Sequence, residues 1–254
     1  MIFLYPHNLL CVSLAAGISV YLGFLSLRTT PRRFFVHMSF VTILLWAAAA
    51  FLSGRGLGVF IVGCGIVSMM AWRQFCLERD FLAKLWLSGV SAFGGTLILL
   101  SLVVLPPNRP EGVTAWFITS VYFGAFVLTA SFITGALAVS AHRGTAIPSS
   151  LLDNALIVSF VAFGLRFLLM MGVLAGFPKL FPGWGNQLLD FLAKEHFYSL
   201  VGWIVLGIAL PFALNLWSWN RLKQGATPAS LLRPLALSML AAIAGEYLAR
   251  TLFF

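Results

Sequence analysis

The chain has 254 residues, of which 61% are hydrophobic and only 9% charged, with a net charge of +9. Long charge-free runs of this kind cannot cover a water-soluble surface, so the composition excludes a soluble globular domain and predicts a single integral membrane domain over 1–254. No basic stripe interleaved with aromatic residues is present, so the positive charge marks topology and attraction to anionic lipid headgroups, with no nucleic-acid partner.

Eight apolar runs bounded by charge follow in order: Leu9–Leu27, Phe34–Ser53, Gly56–Trp72, Leu85–Leu105, Thr114–Ala141, Asn154–Phe177, Phe197–Trp219 and Pro234–Phe254. Each is long enough for a helix to cross the hydrocarbon core, which takes about 17–25 residues. The predicted fold is therefore all-α and polytopic, with eight transmembrane helices in two four-helix bundles. Only Gly54 and Arg55 separate the second run from the third, so seven spans is the alternative count. The first run lacks the basic flank of a secretory signal and is long for one, so it reads as a retained helix.

Loops after spans one, three, five and seven hold Arg28, Arg32, Arg33, Arg73, Arg79, Lys84, Arg143, Arg221, Lys223 and Arg233, whereas the other loops hold Arg55, Arg109, Lys179 and Lys194. Because short cytoplasmic loops carry the excess of Lys and Arg, both termini are expected outside.

Cys11, Cys64 and Cys76 have no paired spacing, so the chain is expected to hold no metal or iron–sulfur cluster of its own. A phosphate-binding loop, a dinucleotide fingerprint, a nucleophile elbow and a zinc-protease motif are all missing from the sequence. Glycines fall inside spans, as at Gly63, Gly65, Gly94, Gly95, Gly124 and Gly135, where small residues let helix backbones approach. The hydroxyls of span five, Thr119, Ser120, Thr129, Ser131 and Thr134, read as interhelical glue rather than a proton path. The loop Pro178–Glu195 carries Trp184, an interfacial anchor or a docking element. The two halves show no clear internal repeat, which counts against an inverted-repeat transporter.

Two spans break the apolar pattern. Span six holds Arg166 near its middle, and span eight holds Glu246 and Arg250. An ionisable group within a span is costly and marks a functional site by default. Glu246 and Arg250 share one helix face with the acid first, the order that favours an ion pair. Glu246 lies roughly 12 Å from the outer end at 1.5 Å per residue, and an Arg166–Glu246–Arg250 cluster is expected. A purely structural clamp is the competing reading, and Arg250 is near enough to the end of the sequence to snorkel toward the headgroups. His7 and Asn8 at the start of span one, with Arg55, Glu195 and His196, can converge on one outer pocket. A quinol headgroup needs hydrogen-bond partners and a route for two protons, which histidine and carboxylate groups supply. Each interfacial histidine has a simpler reading as a solvated side chain.

The eight spans, Ala15-Ala16-Gly17 in the first, Trp116-Phe117 leading to Gly124, Pro211 in the seventh, and the closing Gly245-Glu246-Tyr247-Leu248-Ala249-Arg250-Thr251-Leu252-Phe253-Phe254 resemble the membrane anchor subunit of dimethyl sulfoxide reductase. The polysulfide and nitrite reductase membrane subunits share this plan. The resemblance implies a haem-free anchor in a bacterial cytoplasmic membrane that oxidises menaquinol or ubiquinol. It implies electron transfer to an iron–sulfur subunit and on to a molybdopterin catalytic subunit, with His7 in the place of a quinol ligand. The candidate quinol-binding or proton-transfer residues are thus His7, Asn8, Arg166, Glu246 and Arg250. Two rivals stay open: a di-haem b-type cytochrome pairing His7 with His196 and His37 with His142, and a small-solute transporter using Arg166 and Glu246.

Overall fold

The computed structural model describes residues 6–53, 58–103, 111–172, 190, 192, 194 and 196–251, with the helical course alone for 99–103 and 111–118. The expectations for Arg55, Arg109, Lys179, the body of the loop around Trp184, Glu195 and the last three residues lie outside the described residues, as do the side chains of Trp116 and Phe117.

Eight membrane-length helices form, and no strand is present among the described residues. They are α1 (Pro6–Phe24), α2 (Arg32–Leu52), α3 (Gly58–Cys76), α4 (Asp80–Val103), α5 (Glu111–His142) and α6 (Ser149–Met171). A seventh, α7, spans Phe197–Lys223, and α8 covers Leu232–Thr251 after a short 3₁₀ turn at Pro228–Leu231. Ser53 adopts an extended conformation that stops α2 before α3 begins, so the count is eight rather than seven.

Several helices outrun their apolar cores. The third continues to Cys76 rather than stopping at Trp72, and the sixth starts at Ser149 rather than Asn154. A charged residue stops a hydrophobic run but not a backbone hydrogen-bond ladder, so helices extend into the polar boundary. Pro234 lies inside the first turn of α8, where its missing N–H costs nothing. A feature the sequence reading did not anticipate interrupts α7: residues Val205–Ala209 form a π-helical turn directly ahead of Pro211.

Helices α1 to α4 pack in a closed ring, each against the next and α4 back on α1, and α5 to α8 repeat the arrangement. The two four-helix bundles meet where α1 lies against α5 and α8. Apolar side chains turn outward as well as inward: Phe51 is 90% and Phe81 80% exposed. Helices apolar all round belong in a bilayer, where the outer face is solvated by lipid.

With an even number of spans, Pro6 and Thr251 lie at one end, here called the terminal end. The loops after α1, α3, α5 and α7 lie at the other, basic end. Tight turns close the basic end. Glu78 takes φ 64 between α3 and α4, and Gly144 and Gly225 take φ 83 and 91 just past α5 and α7. The glycines suit the left-handed cap, whereas at Glu78 the cap is closed by its N–H on the Phe75 carbonyl at 3.3 Å and the Arg79 N–H on the Gln74 carbonyl at 2.9 Å, and the Glu78 carboxylate pairs with Arg32 Nη1 at 2.9 Å.

Candidate functional site

Antiparallel helices deliver the ionisable residues of the second bundle to one depth. Arg166 and Glu246 each sit five residues before the last residue described in their helices, Met171 and Thr251. Trp203 lies six residues into α7, which runs the opposite way. At 1.5 Å per residue this is a layer roughly 8 Å below the helix ends. The helix that carries Arg166 begins five residues ahead of the apolar run, at Ser149 rather than Asn154.

Within this layer the expected cluster forms. Arg166 Nη2 donates to Glu246 Oε1 at 3.1 Å and to Oε2 at 3.4 Å, and Arg166 Nη1 donates to the carbonyl of Ser120. Arg250 Nη1 donates to Glu246 Oε2 at 3.3 Å and to the Glu246 carbonyl at 2.9 Å. All three side chains are 1% exposed. Arg250 therefore does not snorkel: its guanidinium is turned inward by the carboxylate one helical turn earlier.

Four further residues shape the site. The Trp203 ring lies under the Arg166 guanidinium at 4.9 Å, a cation–π contact strengthened by exclusion of water. Gly124 on α5 leaves the space that Glu246 fills: a Cβ there would overlap the carboxylate. The expectation that Gly124 serves backbone approach is corrected on this point, since it accommodates an acid. Backbone approach occurs instead at Gly245, where a Cβ would overlap the backbone of Gly207 inside the π turn. Gly63 and Gly95 face open space, which also corrects their expected packing role.

The sequence held a signal for some of these residues. A tryptophan inside a span, away from the interface that tryptophan favours, is a signal that Trp203 shares with Trp46. Gly207 four residues later and Pro211 beyond it mark a disturbed helix. Ser120 acts through its backbone carbonyl, which no side-chain pattern discloses.

The cluster holds two guanidinium groups against one carboxylate, a net buried positive charge. Among the described residues Arg166 Nε, Arg250 Nε and Arg250 Nη2 have no hydrogen-bond partner. A guanidinium presents five N–H donors, and leaving some of them unmet in an apolar layer is costly. The site is thus built to give hydrogen bonds to an oxygen-bearing group.

The other predicted residues are placed differently. Asn8 is fully buried, but its Nδ2 donates to the Leu52 carbonyl at 2.8 Å, tying the start of α1 to the end of α2, while its Oδ1 has no partner among the described residues. It lies one turn from Cys11, the α1 residue that feels the charge of Arg250. His7 is half-buried at the second position of α1. His196 precedes α7, His142 ends α5, and His37 lies in the second turn of α2, so the four histidines sit near helix ends. That placement does not suit a haem held between facing spans.

An apolar crevice of about 530 Å³ opens deeper in the membrane, between α1, α5 and α6, lined by Gly17, Tyr21, Phe126, Thr129 and Val158 among others. It begins next to Gly124 along α5 and runs toward the basic end. No family model, curated protein or solved structure matches the chain.

Proposed function

We propose that this multi-pass membrane protein is the quinol-oxidising anchor subunit of an electron-transfer complex, of the kind the dimethyl sulfoxide reductase anchor represents. In this reading it lies in a bacterial cytoplasmic membrane with the terminal end outside and the basic end in the cytoplasm. The excess of Arg and Lys at the basic end supports that orientation.

The observation that carries the proposal is the buried Arg166–Glu246–Arg250 cluster with its unspent donors. Oxidation of a quinol releases two electrons and two protons. Arg250 Nη2 and Nε give hydrogen bonds to a headgroup oxygen and fix its position. Glu246, bonded to both guanidinium groups, accepts a proton from the adjacent hydroxyl. In this reading Glu246 takes the two protons in turn and releases each toward the terminal end, where the His7 imidazole carries them on and Asn8 serves as a hydrogen-bond partner. The electrons go to a partner iron–sulfur subunit docked at the terminal end, and from it to a molybdopterin catalytic subunit. The apolar crevice has a volume typical of ligand sites and suits the isoprenoid tail of menaquinol or ubiquinol.

A mild-detergent pull-down of the tagged chain, read by mass spectrometry, tests the proposal. Recovery of an iron–sulfur protein and a molybdopterin protein supports it. A chain recovered alone, or carrying haem, overturns it in favour of a transporter or a cytochrome. On the membranes of a strain that yields the complex, Glu246→Gln is expected to lower quinol-supported reduction with normal insertion, and unchanged turnover would remove Glu246 from the site.

A further inference from the structure

The carboxylates of the basic end are few and committed. Glu78, Asp80 and Asp153 are the acids that the sequence places there. Arg32 takes Glu78 at 2.9 Å and Asp80 at 3.1 Å, and Lys223 takes Asp153 at 2.9 Å. Arg33 and Arg143, by contrast, pair with no carboxylate among the described residues and are exposed. Lone surface cations are ordinary, but these two belong to different bundles and line the same hollow.

That hollow has a volume of about 440 Å³ and lies between α2 and the α5–α8 pair, in the seam left open beside the contact of α1 with α5. Its polar mouth is formed by Arg33 and His37 from α2 and by Arg143 and Thr145 beyond α5. Its deeper wall is apolar, with Phe132 and Met239 among its residues. Two cations at headgroup level above an apolar trough match an anionic headgroup with an acyl chain beneath it, and basic pockets between spans are where such lipids lodge.

We infer that this seam is a binding site for an anionic diacyl phospholipid. The headgroup phosphate sits between the guanidinium groups of Arg33 and Arg143, with hydroxyl and imidazole donors from Thr145 and His37 completing its shell. One acyl chain lies along Phe132 and covers the join between the bundles. The lipid then acts as a bridge between halves of the protein that otherwise touch mainly through α1. This assignment is independent of the quinol reading, since it uses the opposite end of the molecule and none of the cluster.

Native mass spectrometry of the full chain tests it, after purification in detergent with an equimolar supply of phosphatidylglycerol and phosphatidylcholine. The wild type is expected to retain phosphatidylglycerol selectively. Arg33→Gln with Arg143→Gln should lower that retention by roughly tenfold or more, as the loss of two phosphate contacts implies. Arg33→Lys with Arg143→Lys should keep most of it. Arg73→Gln with Arg79→Gln, which removes two exposed cations of the same end outside the hollow, should leave retention unchanged. An equal loss in that control pair would mean diffuse attraction and would overturn the site. So would undiminished retention in the first variant, or displacement of the lipid by millimolar inorganic phosphate, which would mark a free-anion site.

Discussion

Replacement of Glu246 by glutamine removes one charge from a buried set of three and changes little in shape. In the wild type its carboxylate accepts from Arg166 at 3.1 and 3.4 Å and from Arg250 at 3.3 Å. Opposite charges with centres about 4 Å apart attract by roughly 4 kcal/mol at an effective dielectric of 20. Two such pairs are lost together, and the repulsion between the guanidinium groups is no longer screened. The unfolded chain in a micelle finds replacement partners, so the net loss is smaller, about 3 to 5 kcal/mol. Reversible unfolding of the full chain in mixed micelles, titrated with a denaturing detergent and followed by tryptophan fluorescence, measures it. A loss below about 1 kcal/mol, the range of solvated surface pairs, would refute the claim that these charges are shielded from water. A companion variant replacing all three residues, Glu246→Leu, Arg166→Leu and Arg250→Met, should return stability to near the wild-type value, since apolar side chains of similar volume pay no desolvation. That variant should have no quinol-supported activity. Full activity in it would reduce the cluster to a clamp.

Substitutions at four further positions probe the surroundings. Gly124→Ala places a methyl group where the Glu246 carboxylate lies, so it should cost about 1–3 kcal/mol in the same unfolding assay; Gly95→Ala, facing open space, should be neutral or slightly stabilising. Gly245→Ala drives a Cβ into the Gly207 backbone, which cannot rotate away, so α7 and α8 must separate. A cysteine cross-linking scan along these two helices should show the wider spacing, and unaltered cross-linking would contradict the contact. Trp203→Leu removes the ring under Arg166 and should lose about 1–2 kcal/mol, with Trp203→Phe in between, because the cation–π attraction follows the ring. Equal effects of the two would assign the loss to packing alone.

Much of this architecture was readable before any coordinates, for a physical reason. Unsolvated backbone must be helical in a bilayer, so apolar length and flanking charge are enough to place eight spans. The cluster was readable too, because Glu246 is the acid within a span and Arg166 and Arg250 have no other counterion to meet at that depth. What escaped the sequence depends on contacts between distant elements. Gly124 looks like any span glycine until the acid of α8 is seen against it. Arg250 near the end of α8 is free to reach for the headgroups on sequence grounds, and only the packing of α8 turns it inward. The π turn at Val205–Ala209 has its local signal in Pro211, which has no N–H to give the Gly207 carbonyl, but its backbone contact with Gly245 of α8 has none. Asn8 stands out in the sequence as a candidate for the quinol pocket, but the partner it has, the Leu52 carbonyl, is a backbone group that carries no signature.

Because eighty positions separate Arg166 from Glu246 along the chain, the two charges enter the membrane at different times. Synthesis proceeds from the first helix onward, so the α1–α4 ring is complete while the second ring is still growing. Arg166 enters the bilayer with α6 and has the Ser120 carbonyl, already present on α5, as its protein partner. Trp203 arrives with α7, and the counterion arrives with α8. Each earlier stage carries a guanidinium without its carboxylate, a cost that α8 removes. A ribosome stalled before α8 leaves a chain with seven helices and a charge it cannot neutralise. The ion pair therefore forms only once α8 has joined α5, α6 and α7, so it reports closure of the second bundle.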